Sequence, residues 1–514
     1  MIRRLLDLPL PVVLMAIGAL AMLVPALHAV ALRDYSVARA FAYSSGLFLV
    51  LTAMIALATA ANRPGDAARS QLVALVAAYA GLPLMLAVPM REAVPDSTYL
   101  AAWWEMVSSL TTTGATVFDP DSLPPSVHLW RALVGWLGGL FTLVAAMAIL
   151  APLNLGGFEV LTTGGGQGIG RMSDPGGRVL QAATAVLPVY LALTLVLWGA
   201  LIGAGDPALI AASHAMGAIS TSGITPQGGP DSAPSGLLGE CVIALFLVPA
   251  LTRRLIGAGR LVLSTRTGGG MDVGRGGYRA LRELWHDREL RLGLALVAVV
   301  SLLLFLRHWI GAIEGRSQID LRSAAGALWG AVFTVLSFLT TTGFVSAEWG
   351  ASRLWSGLGS PGLILAGLAI IGGGIATTAG GVKLLRMVAL YGHGRRELEK
   401  LVHPASLGGG GQEARRMRRH GAQIAWVAFM LFAVAIAGTM LLLTFFGTGF
   451  QEAMVFSIAA LSTTGPLADV AGDVPLAWSG LGGIERAVLA AAMVVGRLET
   501  LAVIALFNPA LWRN

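Results

Sequence analysis

The sequence predicts an all-α, polytopic membrane protein assembled from four similar units, each a helix, a re-entrant loop and a second helix. Three observations carry this prediction. Of 514 residues, 55% are hydrophobic and only 12% charged, with a mean hydropathy of +0.74, outside the usual range of soluble globular domains. Val12 to Leu32, Gln71 to Met90, Val179 to Leu201 and Leu292 to Trp309 each approach or exceed the roughly 20 residues that cross about 30 Å of hydrocarbon. A polar cluster also recurs: LTTTGAT from Leu110, ISTSGIT from Ile219, LTTTGFV from Leu339 and LSTTGPL from Leu461. Its glycines, Gly114, Gly223, Gly343 and Gly465, are about 110 to 120 residues apart, too far for a solenoid, so each period is a small domain.

The first apolar run follows Arg3 and Arg4 but is too long for the h-region of a cleaved signal peptide, and a second span, Phe41 to Ala61, follows at once. The first unit then reads as Gln71 to Met90, a short amphipathic segment Tyr99 to Thr112, and Leu129 to Leu150. The second has Val179 to Leu201, Pro207 to Ile219 and Leu237 to Leu251; the third has Leu292 to Trp309, Ser323 to Leu339 and Pro361 to Leu390. The fourth has Gln423 to Phe446, Phe450 to Leu461 and Ile484 to Phe507. About a dozen helical residues rise only about 18 Å, so the middle segments enter the membrane and turn back.

Non-helical backbone at membrane depth is tolerated only where it is buried in protein or lines a watery cavity. The clusters are therefore candidate pore linings: Thr112, Thr113 and Gly114; Thr221, Ser222 and Gly223; Thr341, Thr342 and Gly343; Thr463, Thr464 and Gly465. Glycine permits positive φ and lets carbonyl groups turn to one axis, while the hydroxyls satisfy neighbouring backbone groups or offer further oxygens. Four such loops around one axis would make a ring of carbonyls replacing the water shell of a monovalent cation, potassium being the usual one. The re-entrant helices would point their partly negative C-termini at the same place.

Charge placement separates this reading from nucleic-acid binding, which a net charge of +7 alone would allow. The basic residues gather in two connections, Arg253 to Arg282 and Arg395 to Arg419, and the positive-inside rule turns both to the cytoplasm. Topogenic charge explains this basicity, with a docking surface for a cytoplasmic partner as the sharper alternative. Cys241 reads as a small core residue, and the eight histidines lack HExxH or CxxC company, so neither a disulfide nor zinc chemistry has support. Nor is there a nucleophile and base set for an intramembrane enzyme. The glycine runs Gly164 to Gly170 and Gly268 to Gly277 fit neither GxxxxGK[ST] nor GxGxxG and read as flexible loops.

The second helix of the third unit is interrupted by GGGIATTAGG, and five glycines there, at about 1 kcal/mol each against alanine, disfavour a continuous helix. Either a packing notch or a movable intramembrane loop results, built on Gly372, Gly373, Gly374, Thr377, Thr378, Gly380 and Gly381. Two cations, Lys383 and Arg497, lie near inner helix ends; Lys383 reads as snorkelling to the cytoplasmic surface, and pairing with Glu499 is one option for Arg497. Glu105 and Glu452, within re-entrant helices, either hold a loop by hydrogen bonding or add negative field at the outer mouth. Asp119, Asp121, Asp469 and Asp473 follow the clusters, as ordinary solvated positions or as cation-concentrating ones.

Together with the four clusters, RALVGWLGGL from Arg131, GGGIATTAGGVKLLR from Gly372, LEKLVHP from Leu398 and VGRLETLAVIALFNPALWR from Val495 resemble, in order and over nearly the whole chain, the Trk/Ktr/HKT superfamily of potassium transporters, and within it the TrkH-type subunits of bacterial Trk systems. The resemblance implies four helix/pore-loop/helix repeats around one pseudo-fourfold pore, two N-terminal transmembrane helices and about ten spans. It implies pore repeats over 67–155, 156–260, 261–400 and 401–514 after a two-helix extension over 1–66. The clusters would form the potassium filter, the 372–381 segment a gate, and Arg497 a barrier beneath the filter. A homodimer in the bacterial inner membrane, an N-terminus in the cytoplasm and a TrkA-like cytoplasmic subunit carrying the nucleotide are also implied, with no cofactor in this chain itself. A sodium-dependent Ktr-type subunit and a non-conducting sensor or scaffold are the alternatives. The second loop departs from the pattern, with Ser222 for threonine and Ile224 where many such loops have glycine, and Pro466 follows the fourth glycine.

Overall fold

The computed structural model describes residues 8–59, 67–153, 175–226, 228–254, 284–314, 321–350, 352, 361–403, 421–472 and 474–499, with no strand among them. Both glycine runs, Asp473 and most of the two basic connections lie outside the described residues. Helices α1 (Leu10–Ala21) and α2 (Leu23–Ala31) form one span interrupted at Met22, and α3 (Tyr35–Thr59) returns beside it. The Ser45 hydroxyl ties the two by donating to the Ala19 carbonyl at 2.7 Å.

The first unit comprises α4 (Ala67–Ala93), α5 (Tyr99–Leu110) and α6 (Pro125–Ala145), and the second α7 (Pro175–Gly203), α8 (Ala208–Ile219) and α9 (Gly236–Leu247). The third has α10 (Arg288–Glu314), α11 (Leu321–Leu339), α12 (Gly362–Ile371) and α13 (Leu384–Val402). The fourth has α14 (Ala422–Phe445), α15 (Phe450–Leu461), a short α16 (Leu467–Val470) and α17 (Gly483–Leu498). Local chemistry sets several starts: the Thr98 side chain caps α5 by accepting the Ala101 amide, and Pro125 opens α6 where no amide donor is needed.

In every unit the short helix packs between the two long ones. Each second helix also packs against the short helix of the next unit: α6 on α8, α9 on α11, α12 on α15, and α17 back on α5. That last contact closes the four units into a ring. The N-terminal pair packs on α4 and α6, outside the ring. Burial separates an inner and an outer shell: 72% of the apolar window over Pro125–Leu150 is buried, against 22% over Ala422–Phe445, whose large apolar side chains face outward as a lipid-facing helix requires. The short helices are interior, with Trp104, Ala215, Phe338 and Ala459 wholly buried.

Among the described residues, seven helices are long and apolar enough to span by length and composition, and α9 and α12 are shorter apolar segments, α12 because the chain unwinds after Ile371. Two expectations change. The third re-entrant helix has 19 residues rather than about a dozen. Cys241 is exposed on α9 rather than in the core, on the face that also exposes Leu237, Leu238 and Leu245.

Candidate functional site

All four clusters are built alike. Each short helix ends in a paired turn in which the cluster's second residue bonds back five to two and its third six to one. In the first cluster the Thr112 amide donates to the Ser109 carbonyl at 2.9 Å and the Thr113 amide to Ser108 at 2.8 Å. Thr221/Ser222, Thr341/Thr342 and Thr463/Thr464 repeat the pattern on Ala218/Gly217, Phe338/Ser337 and Ala460/Ala459. Such turns need a left-handed residue, usually glycine; here it is threonine every time, with φ +55° at Thr112, +52° at Thr221, +57° at Thr341 and +55° at Thr463. A β-branched residue there stores about 1–3 kcal/mol of strain.

The flanking hydroxyls hold it. The first residue of each cluster donates to the carbonyl four residues back, as Ser462 does to Ile458 at 2.7 Å, and meets the third hydroxyl at 2.8 to 3.2 Å. The glycine follows, with φ +75° at Gly114, +63° at Gly223 and +83° at Gly343, but Gly465 is not left-handed. What all four glycines share is proximity. A methyl on Gly114 would lie 1.9 Å from the Ser222 carbonyl oxygen, and one on Gly223 2.0 Å from that of Thr342. One on Gly343 would meet the Pro466 ring at 2.9 Å, and one on Gly465 the Thr113 oxygen at 2.7 Å. The clusters thus touch in the order one, two, three, four and one again, and the Gly465 amide donates to Thr113 at 2.6 Å to close the circuit.

On one side of this ring lies a cavity of about 430 Å³ lined by Gly114, Thr116, Asp119, Pro466, Asp469 and Trp478, among others. Asp469 lines it and is exposed, and partial loss of solvation pushes its pKa up to about 6. Asp119 is exposed and accepts the Asp121 amide at 3.2 Å, an ordinary turn cap. Glu105 holds a loop: it accepts the Val117 amide at 3.2 Å and pairs with buried Arg131 at 2.6 Å. Glu452 does not; it sits exposed in the first turn of α15, where a carboxylate suits the helix dipole.

Glu240 escaped sequence reasoning. From α9 of the second unit it supports the third cluster's outgoing chain, accepting the Trp329 indole at 2.8 Å, the Ser346 hydroxyl at 2.7 Å and the Ala347 amide at 2.7 Å. Its only sequence signal is a carboxylate in an otherwise apolar helix.

Beneath the ring, on the face opposite the cavity, residues 372 to 383 are unwound and buried throughout. Gly372 ends α12 with φ +72°, and Gly381 turns at φ +75°. The Gly374 amide donates to Ala250 at 2.9 Å, the Ile375 amide to the Glu289 carboxylate at 3.3 Å, and the Thr377 hydroxyl back to Gly374 at 2.7 Å. Arg497 donates to the Thr378 carbonyl at 2.6 Å and to the Thr142 hydroxyl at 2.8 Å. Glu499 does not pair with Arg497; it bonds Arg386 at 2.7 Å, so Arg497 keeps its charge facing the loop. Lys383 is not at the surface: it is 6% exposed, with φ +87°, and its ammonium turns back onto the Ala379 carbonyl. Among the described residues no group of three or more His, Cys, Asp or Glu could hold a metal ion.

Known proteins share this plan. A family model described as TrkH, cation transport protein, matches residues 281–513. The chain is 26% identical over 506 residues to the Trk system potassium uptake protein TrkH of Escherichia coli K12, covering 96% of each. It is 28% identical over 432 residues to the protein of the same name from Salmonella typhimurium, covering 82% of this chain and 81% of that one. The crystal structure of the potassium transporter TrkH from Vibrio parahaemolyticus superposes with a TM-score of 0.80 at 25% identity, over the full length of both chains. With four ring-forming units and these matches along its length, the chain is similar in sequence and in fold to TrkH cation transport proteins.

Proposed function

We propose that this chain carries potassium into the bacterial cell through a pore whose filter is the ring of four Thr–Gly clusters and whose gate is the loop over 372–383. The observation that carries the reading is the closed ring with an unwound helix segment seated beneath it. Carbonyl oxygens of Thr112, Thr113, Thr221, Ser222, Thr341, Thr342, Thr463 and Thr464, with those of the glycines, replace the ion's water shell. Four helix C-termini add a negative field at the same point. Arg497 sets a positive charge under the ring and holds the loop by its Thr378 carbonyl, so loop and charge oppose a cation together.

A membrane potential supplies about 2.3 kcal/mol per elementary charge per 100 mV, enough for accumulation without chemistry in this polypeptide. The chain sits in the inner membrane as a homodimer with its N-terminus and basic loops in the cytoplasm, and a TrkA-like nucleotide-binding subunit moves the loop. The basic connections support the orientation, the relatives' names support potassium as the cargo, and the dimer and the nucleotide-binding subunit rest on the sequence resemblance. The test is rescue of potassium-limited growth, with rubidium influx, in a bacterium stripped of its own uptake systems and supplied with the partner. Absence of flux from well-expressed protein rejects the proposal.

A further inference from the structure

The left-handed threonine of each cluster, Thr112, Thr221, Thr341 or Thr463, has the same strained backbone, but the four hydroxyls are engaged differently. Those of Thr112 and Thr463 are buried with no hydrogen-bond partner, and that of Thr221 donates to its neighbour, the Ser220 carbonyl, at 2.8 Å. Thr341 instead accepts the backbone amide of Gly380 at 2.7 Å, a bond from the loop directly to the ring. Gly380 is wedged in place: a methyl there would lie 2.1 Å from the Ser462 carbonyl oxygen and 2.4 Å from the Thr463 hydroxyl. One residue pair before it, the Thr378 hydroxyl donates to the Ile219 carbonyl at 3.3 Å, at the end of α8. The loop therefore touches the second, third and fourth clusters or their helix ends, and its amide bond falls on the cluster of its own repeat.

A hydroxyl oxygen has two lone pairs, and an amide donor takes one of them. We propose that Thr341 is a latch between loop and ring: its hydroxyl accepts Gly380 while the loop lies beneath the ring and is released toward the ion path when the loop withdraws. Loop position then sets both how much passes and which ion is preferred, because the ring gains an oxygen ligand only when the loop has left. This rests on the filter and gate reading given above.

The experiment is rubidium and sodium influx into vesicles holding the full chain without its partner, comparing T341V, T221V and T341S. Both valines remove a hydroxyl of the ring, but only T341V removes the acceptor of the loop. T341V is expected to leak rubidium several-fold faster than T221V, and T341S, which restores the acceptor, returns the leak toward the parental rate. Equal leaks from T341V and T221V overturn the latch. Should T341V not fold, G380A carries the test, since it displaces the loop with the hydroxyl intact: a raised leak supports the latch and an unchanged one rejects it. A rubidium-to-sodium ratio unmoved in both valine variants counts against the filter reading instead, whichever way the leak moves.

Discussion

The four Thr–Gly clusters and the single loop beneath them lie in contact, yet they are held by opposite kinds of bond. Within a cluster the turn, the helix-capping hydroxyl and the hydroxyl pair all join residues within six positions of one another. The loop is also held from afar, by Ala250, Glu289, Thr341 and Arg497, each 39 or more residues away. Local bonds make an element that can be copied four times and stay rigid. Long-range bonds make one whose fit depends on its neighbours, which is what a movable segment requires.

The largest effect comes from breaking the copied element. Gly223→Ala places a methyl 2.0 Å from the Thr342 carbonyl at a backbone with φ +63°, so two adjacent clusters must separate. Rubidium uptake is expected to fall by a factor of roughly 100 or more, the scale of a misplaced reacting or coordinating group. Gly392→Ala, with open space around it, is the control that should keep uptake. Comparable uptake by the two would show that the ring tolerates what its geometry forbids.

The same distinction governs what could be read from sequence. The units, the short helices and the four clusters were legible because each is announced locally, by an apolar run or by Thr–Gly in series. The left-handed threonines were not, since glycine is the expected residue there; a helix ending in Thr-Thr with no glycine at its cap was the available clue. Glu240, the Arg386–Glu499 pair and the inward turn of Lys383 were illegible for another reason. The partners lie 106 residues from Glu240 and 113 from Arg386 and, for Lys383, only four residues away but through a backbone reversal that periodicity does not encode. Arg497 was legible as a charge, but its bond to the Thr378 carbonyl, 119 residues away, was not.

The next effect in size probes support from outside. Glu240→Gln can satisfy at most two of the three donors that converge on it, because its amide group must face one of them. An orphaned buried donor costs about 1–3 kcal/mol. The outgoing chain of the third cluster should loosen, raising sodium-to-rubidium permeability severalfold and lowering Tm, while Glu452→Gln, an exposed change, moves neither. An unaltered ratio in folded Glu240→Gln protein would mean that the cluster holds itself without this brace.

Smaller still is the effect of the charge beneath the ring. Arg497→Ala removes a cation and frees the Thr378 carbonyl, so rubidium flux without the partner should rise a few-fold. Lost flux in protein of normal elution profile would instead make Arg497 a part of the ring's support.

The smallest effect belongs to the cavity over the ring, where the clusters meet water rather than the loop. Asp469, outside the spans, has its pKa pushed up to about 6, so it is mostly ionised at pH 7.5 and mostly neutral at pH 5. If the proposed pore opens through this cavity, acidifying the side it faces removes a negative charge at its mouth, and uptake at low potassium should fall as pH drops through about 6. A unit charge acting through water over about 10 Å contributes about 0.4 kcal/mol, roughly a twofold change in local ion concentration. Asp469→Asn should take the low-pH rate at all pH values and flatten the profile, and high salt should shrink the difference in the parental chain. A profile that keeps its step in Asp469→Asn would move the titrating group elsewhere and leave the cavity as a passive antechamber, with the ring and the loop carrying all of the discrimination.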